Sequence, residues 1–217
     1  MELYHTKIIG TGKYHPEKVI TNEELSKRVD TSDEWIVQRT GIKERRVGSV
    51  DTNDFPSGMA EKSAKQAIEA AGLEPNDIDF ILFSVTLPDM LFPNSASCLQ
   101  ERLGITSKCA ALDINAACTG WLYGFTMANA LIQTGVYKNI LLVGTEMTSN
   151  FNNWDDRNTC VLFGDGSGAV VLTQSEDKDE NASKLIDSIL ASDSSKKDSL
   201  ILPAGGAKAP VREDILK

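Results

Sequence analysis

Ala110-Ala111-Leu112-Asp113-Ile114-Asn115-Ala116-Ala117-Cys118-Thr119-Gly120-Trp121 is the stretch that decides how this chain folds. It opens as a short apolar run, passes through small residues and reaches a cysteine. Beyond it Trp121/Leu122, Phe125, Ala128/Asn129 and Ile132 recur at the spacing of one helical face. The order reads as a buried strand, a tight turn, and a helix whose first turn carries Cys118. Small residues at 116, 117 and 120 let the backbone turn sharply and let a ligand come close. A thiol there meets the positive end of the helix dipole and unpaired backbone N–H groups, and both favour the nucleophilic thiolate. The competing reading is a structural cysteine, because a free Cys packs as a small hydrophobe. Spacing alone leaves both open.

Outward from this stretch, strands and helices alternate. The nearly continuous apolar run 79–85 is what a strand covered on both faces needs, and 138–144 is a second such run. Residues 7–12 read as a first strand ending in a glycine turn. Thr21-Asn22-Glu23-Glu24 fits a capping box that opens a short helix through Val29. Thr31-Ser32-Asp33-Glu34 repeats the device and opens a helix carrying Trp35, Ile36 and Arg39, ended by Gly41. A helix over 55–71 shows a face of small residues and stops at Gly72. Another runs from Ser95 through Leu103 to Gly104. The segment Gly164-Asp165-Gly166-Ser167-Gly168 lacks a phosphate-loop lysine and a following helix, so it reads as a tight bend between two strands. Residues 185–191 fit one more strand, and 200–210 a loop. The alternation predicts an α/β protein with a largely parallel sheet flanked by helices. Ligands of such sheets sit beyond the carboxyl ends of the strands, where Cys118 falls.

The chain has 217 residues, with 41% hydrophobic and 24% charged residues, the balance of a soluble globular protein with one sizeable domain or two small ones. A net charge of −9 argues against a general nucleic-acid binder. Four cysteines without CxxC spacing and two histidines predict no zinc site. Neither an apolar leader nor a membrane-length apolar run is present, so a cytoplasmic protein with reduced thiols and no membrane contact is expected. Trp35 and Arg39, one helical turn apart, make either a platform for a planar charged ligand or a core tryptophan beside a solvated arginine.

Five segments resemble one family in order and spacing: Ile8-Ile9-Gly10-Thr11-Gly12, Thr31-Ser32-Asp33-Glu34-Trp35-Ile36, Arg39-Thr40-Gly41-Ile42, Asn115-Ala116-Ala117-Cys118-Thr119-Gly120-Trp121 and Phe163-Gly164-Asp165-Gly166-Ser167-Gly168-Ala169. The family is β-ketoacyl-acyl-carrier-protein synthase III. The resemblance implies the first half of a thiolase-like fold over 1–174, with a mixed, mostly parallel sheet. Residues 175–217 would then be a connecting segment and loop leading to a C-terminal half that this chain lacks. It further implies that Cys118 takes an acyl group from a short acyl-CoA such as acetyl-CoA. Malonyl-acyl carrier protein then condenses with it in the initiating step of fatty acid synthesis. Coenzyme A enters as a thioester substrate, and no permanently bound cofactor is implied. The resemblance matches Trp35 and Arg157 to residues that sandwich its adenine, and Arg39 and Thr40 to polar contacts with it. It matches Phe92 to a residue reaching across a homodimer interface to the neighbouring acyl pocket. The bland reading of Arg157, within Asp155-Asp156-Arg157, is a surface ion pair of little worth. Lys43, Arg45 and Arg46 are this chain's candidates for a basic carrier-protein docking patch.

One departure stands out. The family completes its site with a His and an Asn from the second half, and neither His5 nor His15 fits that motif. The chain alone is therefore expected not to condense anything. Two further readings stay open: another thiolase-fold condensation, such as hydroxymethylglutaryl-CoA synthesis or secondary-metabolite acyl transfer, and a non-catalytic fragment kept for folding or subunit contact.

Overall fold

Residues 4–175 and 184–210 are described by the structure, a computed structural model. The apolar run near residue 80 becomes β4 (Phe80–Ser84), buried along its whole length. It lies between β5 (Ala110–Ile114) and β6 (Asn139–Met147), parallel to both. Next to β6 the sheet continues with β7 (Asp165–Ser175) and ends with β1 (His5–Tyr14). Each of those last two pairings is antiparallel, so β7 alone runs against the other four strands. The sheet is mixed and mostly parallel, as expected. A separate ribbon pairs β2 (Val19–Thr21) with β3 (Glu44–Arg46).

Alternation along β4 explains why helices cover both faces. Ile81 and Phe83 join Leu141, Val143 and Val171 against α3 (Pro56–Ala70) and α4 (Ser95–Arg102). Phe80 and Leu82 join Ile140, Leu142 and Leu172 on the other face, against α5 (Gly120–Gln133) through Ala128 and Ile132. Burying each of the larger side chains is worth about 1.5–3 kcal/mol.

The glycine turn expected after residue 9 does not exist. β1 runs on to Tyr14, with a bulge between Ile8 and Gly10. Its glycines serve packing instead. A Cβ on Gly10 would lie 2.0 Å from the Ala67 carbonyl oxygen, and one on Gly12 2.0 Å from that of Ser63, so α3 rests its backbone directly on the strand. The capping box at Thr21 forms, but its helix, α1 (Asn22–Ser26), stops short of Val29. The second N-cap is Ser32, which accepts from Trp35 N and opens α2 (Asp33–Thr40); Thr31 does not cap.

Three more expectations change. β5 is half-exposed because it is the edge of the sheet with a single partner strand. The segment 164–168 is no bend: β7 begins at Asp165, whose buried carboxylate accepts from Gly48 N (2.7 Å), Ser149 N (2.9 Å) and Ser149 Oγ. Residues 185–191 pair with no strand, and Ile186 and Ile189 are almost fully exposed. Residues 176–183 and 211–217, within the stretch expected to connect the two halves, lie outside the described residues.

Candidate functional site

β5 ends at Ile114, and the chain turns through Ala117–Thr119 into α5. Ala117 has φ +46, a left-handed conformation that costs a non-glycine residue energy and marks a tightly determined turn. Small residues seat this turn on the carboxyl ends of the strands. A Cβ on Gly120 would lie 2.4 Å from Ser84 Oγ of β4, and one on Gly144 of β6 would lie 3.2 Å from the Trp121 ring. No side chain caps the start of α5. Cys118 stands exposed on the turn, whereas Cys160 is buried and Cys98 and Cys109 are half-buried. Burial pushes those three thiols up, Cys109 to about 11.

A second cluster forms around Trp35 on α2. The Arg39 guanidinium lies 4.4 Å from the Trp35 ring centroid and that of Arg157 lies 4.5 Å from it, both within cation–π range. Arg157 Nη1 also donates to Asp30 O at 2.7 Å. Trp35 packs at the margin of a small core of Leu25, Ile36, Cys160 and Val161. Thr40 Oγ1 donates to Ile36 O (2.7 Å) and accepts from Ile42 N (3.0 Å), so it is engaged at the end of its helix. Phe92, in the loop that leaves the carboxyl end of β4, is 89% exposed. Among the described residues no group of His, Cys, Asp or Glu could hold a metal ion, and no helix is long and apolar enough to cross a membrane.

The family model described as 3-oxoacyl-[acyl-carrier-protein (ACP)] synthase III matches residues 112–194, which include the Cys118 turn. A β-ketoacyl-[acyl-carrier-protein] synthase III of Caldanaerobacter subterraneus subsp. tengcongensis is 44% identical over 97% of this chain and 61% of its own length. Over nearly its whole length the chain is similar to part of the synthase III family. It spans about three fifths of the length of the curated relatives it matches. A synthase III structure from Aquifex aeolicus superposes with a TM-score of 0.76 at 48% identity, over 80% of this chain and 55% of that one. The priming β-ketosynthase of the R1128 polyketide pathway superposes with a TM-score of 0.76 at 30% identity, over 80% and 51%. The thiolase-like α/β fold read from the sequence is thus the fold of this chain.

Of the residues singled out from sequence, the structure brings Trp35, Arg39 and Arg157 together and leaves Cys118 and Phe92 exposed on turns that follow β5 and β4. Arg45 is 4% exposed and cannot join a docking patch. It neighbours Lys43 and Arg46 in sequence, but side chains alternate along β3 and Arg45 is the inward one. Glu146 escaped notice. It sits two residues beyond Gly144 on β6, hence on the sheet face that carries Trp121. Its Oε1 accepts from Thr86 N at 2.6 Å, and its buried Oε2 has no hydrogen-bond partner among the described residues. Burial raises its carboxyl above the ordinary value, against hydrogen bonds from Thr86 and Leu87. The available signal was an acid placed just past an apolar run.

Proposed function

We propose that this chain is the nucleophile-bearing portion of an initiating condensing enzyme of fatty acid synthesis. Cys118 attacks the thioester carbonyl of a short acyl-CoA, acetyl-CoA in the simplest case, and the coenzyme A thiolate leaves with the proton that the cysteine gives up. Malonyl-acyl carrier protein then loses carbon dioxide. Its carbanion attacks the acyl-enzyme carbonyl, expels the Cys118 thiolate and leaves a β-ketoacyl thioester on the carrier. A thiolate is both a good nucleophile and a good leaving group, so one hard condensation becomes two easier steps. The observation that carries this reading is the exposed Cys118 on a positive-φ turn at the carboxyl ends of β4, β5 and β6.

The Trp35–Arg39–Arg157 cluster suits the adenine and phosphates of coenzyme A. A ring stacked between Trp35 and Arg157 needs two contact distances of about 3.5 Å. Arg157 must therefore lift from its present 4.5 Å and release Asp30 as the nucleotide enters. Thr40 keeps one lone pair for the ligand, and Phe92 is the candidate contact to a second copy in a homodimer. The enolate-stabilising His and Asn come from a C-terminal half supplied by the remainder of the polypeptide or by a second one. Oxyanion donors of that kind are worth about 3–4 kcal/mol each, so without them condensation stalls after acyl transfer.

The test is intact-mass spectrometry of the chain with acetyl-CoA. One acetyl group should appear, and Cys118→Ala should abolish it; acylation elsewhere, or none even with the C-terminal half supplied, would refute the reading in favour of a non-catalytic fragment. Likeness to a priming β-ketosynthase favours a second reading, in which the primer is another acyl-CoA and the product is not a fatty acid. Profiling acyl-CoA donors against malonyl carrier protein and acetoacetyl-CoA acceptors separates the two.

A further inference from the structure

Arg45 is a buried cation with no ion pair among the described residues, and its Nε has no acceptor. An apolar side chain would fill the same space at lower desolvation cost, so the guanidinium must be kept for what it links. Nη1 donates to Ile20 O of β2 (3.0 Å), and Nη2 donates to Asn22 Oδ1 (2.7 Å) and Val161 O (3.3 Å). Val161 follows Arg157 by one turn of chain, so this bond ties down the segment that delivers Arg157. Asn22, 1% exposed, reaches the other way. Its Nδ2 donates to Asp33 Oδ1 (2.8 Å), at the first residue of α2, and to Ile42 O (2.7 Å), just past the Gly41 cap. One amide therefore grips both ends of the helix that carries Trp35 and Arg39.

We propose that Arg45, acting through Asn22, is a positioning residue that sets the spacing of Trp35, Arg39 and Arg157 and so the affinity of this site for the nucleotide part of a coenzyme A thioester. The inference rests on reading that cluster as the coenzyme A site. Arg45 touches no ligand; it joins the two chain segments between which the ligand must fit. Asn22→Asp is the informative variant. It keeps the bond to Arg45, now as an ion pair, and replaces both donors to α2 with an acceptor that faces Asp33 Oδ1 and Ile42 O.

The experiment is calorimetric titration of the 217-residue chain with coenzyme A, for the unaltered chain, Trp35→Ala, Asn22→Asp and Arg45→Lys, with the thermal midpoint of each read by circular dichroism. Asn22→Asp should weaken binding on the order of tenfold at a midpoint near that of the unaltered chain, since ångström-scale misplacement of binding groups has effects of this size or larger. Arg45→Lys, which keeps the charge but loses the fork, should weaken it as well. Should Trp35→Ala lose binding while Asn22→Asp binds like the unaltered chain, or loses midpoint alone, the positioning role is overturned and the platform stands. Absence of coenzyme A binding to the unaltered chain, or full binding by Trp35→Ala, overturns the platform and the inference with it. A check independent of folding variants is the Arg45 Nε–H resonance of the unaltered chain, which should shift on titration with coenzyme A; a resonance that stays fixed at saturation means the network only staples the fold.

Discussion

Replacing Gly10 by Ala tests the contact on which β1 and α3 depend. The new Cβ would sit 2.0 Å from Ala67 O, 2.7 Å from Ala71 N and 2.9 Å from Ala71 Cβ. Ordinary carbon–oxygen contact begins near 3.4 Å, so the strand and helix must separate by more than about 1 Å. Two of these three obstacles are backbone and the third is a Cβ, so no side chain can swing aside. Moving α3 opens its seam with the sheet, where Ala60, Ala64 and Ala67 are fully buried and Ile68 nearly so. Overpacking alone costs about 1–3 kcal/mol. Partial loss of contact at Ile68, worth about 1.5–3 kcal/mol when fully buried, and at the three alanines brings the total to about 3–5 kcal/mol. With a urea m-value of about 2 kcal/mol/M, the unfolding midpoint should fall by about 2 M. Gly168→Ala on β7, where a Cβ meets nothing within 4 Å, is the control and should stay within about 0.5 kcal/mol. A Gly10→Ala cost below about 1 kcal/mol, or one equal to the control, would refute the claim that glycine is there for packing.

Glu146→Gln should raise stability at neutral pH and lose that advantage in acid. Burial lifts the folded carboxyl above its unfolded value, so Glu146 favours the folded state at low pH and gives that up as pH rises through the folded pKa; urea melts at several pH values measure the crossover. Burial also pushes Asp54 up, but hydrogen bonds from Thr52, Lys62 and Tyr14 outweigh it and hold the carboxyl below its ordinary value. Its contribution is present above the unfolded pKa, near about 4, and is lost as pH falls through the lower folded value. Asp54→Asn should therefore be destabilising at neutral pH, with the gap closing in strong acid; a pH-independent gap counts against the ion pair. Ser32→Ala should cost about 1 kcal/mol, and Thr31→Ala less, which thermal melts can resolve.

Elements with their own periodicity were legible from sequence. The runs at 80 and 140 became β4 and β6, the small-residue face became α3, and the Cys118 segment became strand, tight turn and helix, with Cys118 on the 3-10 turn just before α5 rather than in its first turn. What the sequence hid depends on partners distant along the chain. Gly10-Thr11-Gly12 has the composition of a turn, and only its pairing with β7 and the close approach of α3 make it a strand. Thr31 and Ser32 are chemically equivalent caps until the helix phase selects one. Arg45 sits among basic residues and reads as surface, yet alternation along β3 turns it inward to three oxygen acceptors. Cys118 and the aromatic–arginine cluster were legible as residues; the bonds of Asn22 and Arg45 behind that cluster were not, because positioning groups carry no motif.

Pairing β1 with β7 joins His5 to Ser175, nearly the whole described chain apart. During synthesis Tyr14 emerges roughly 150 residues before Asp165. At about 5–20 residues per second, the first strand waits roughly ten to thirty seconds for its only sheet neighbour. Its two glycines give it an earlier companion, since α3 follows within the next few dozen residues and can lie on it at once. Protease protection of ribosome-stalled chains should therefore reach β1 when α3 has emerged, well before β7 closes the sheet.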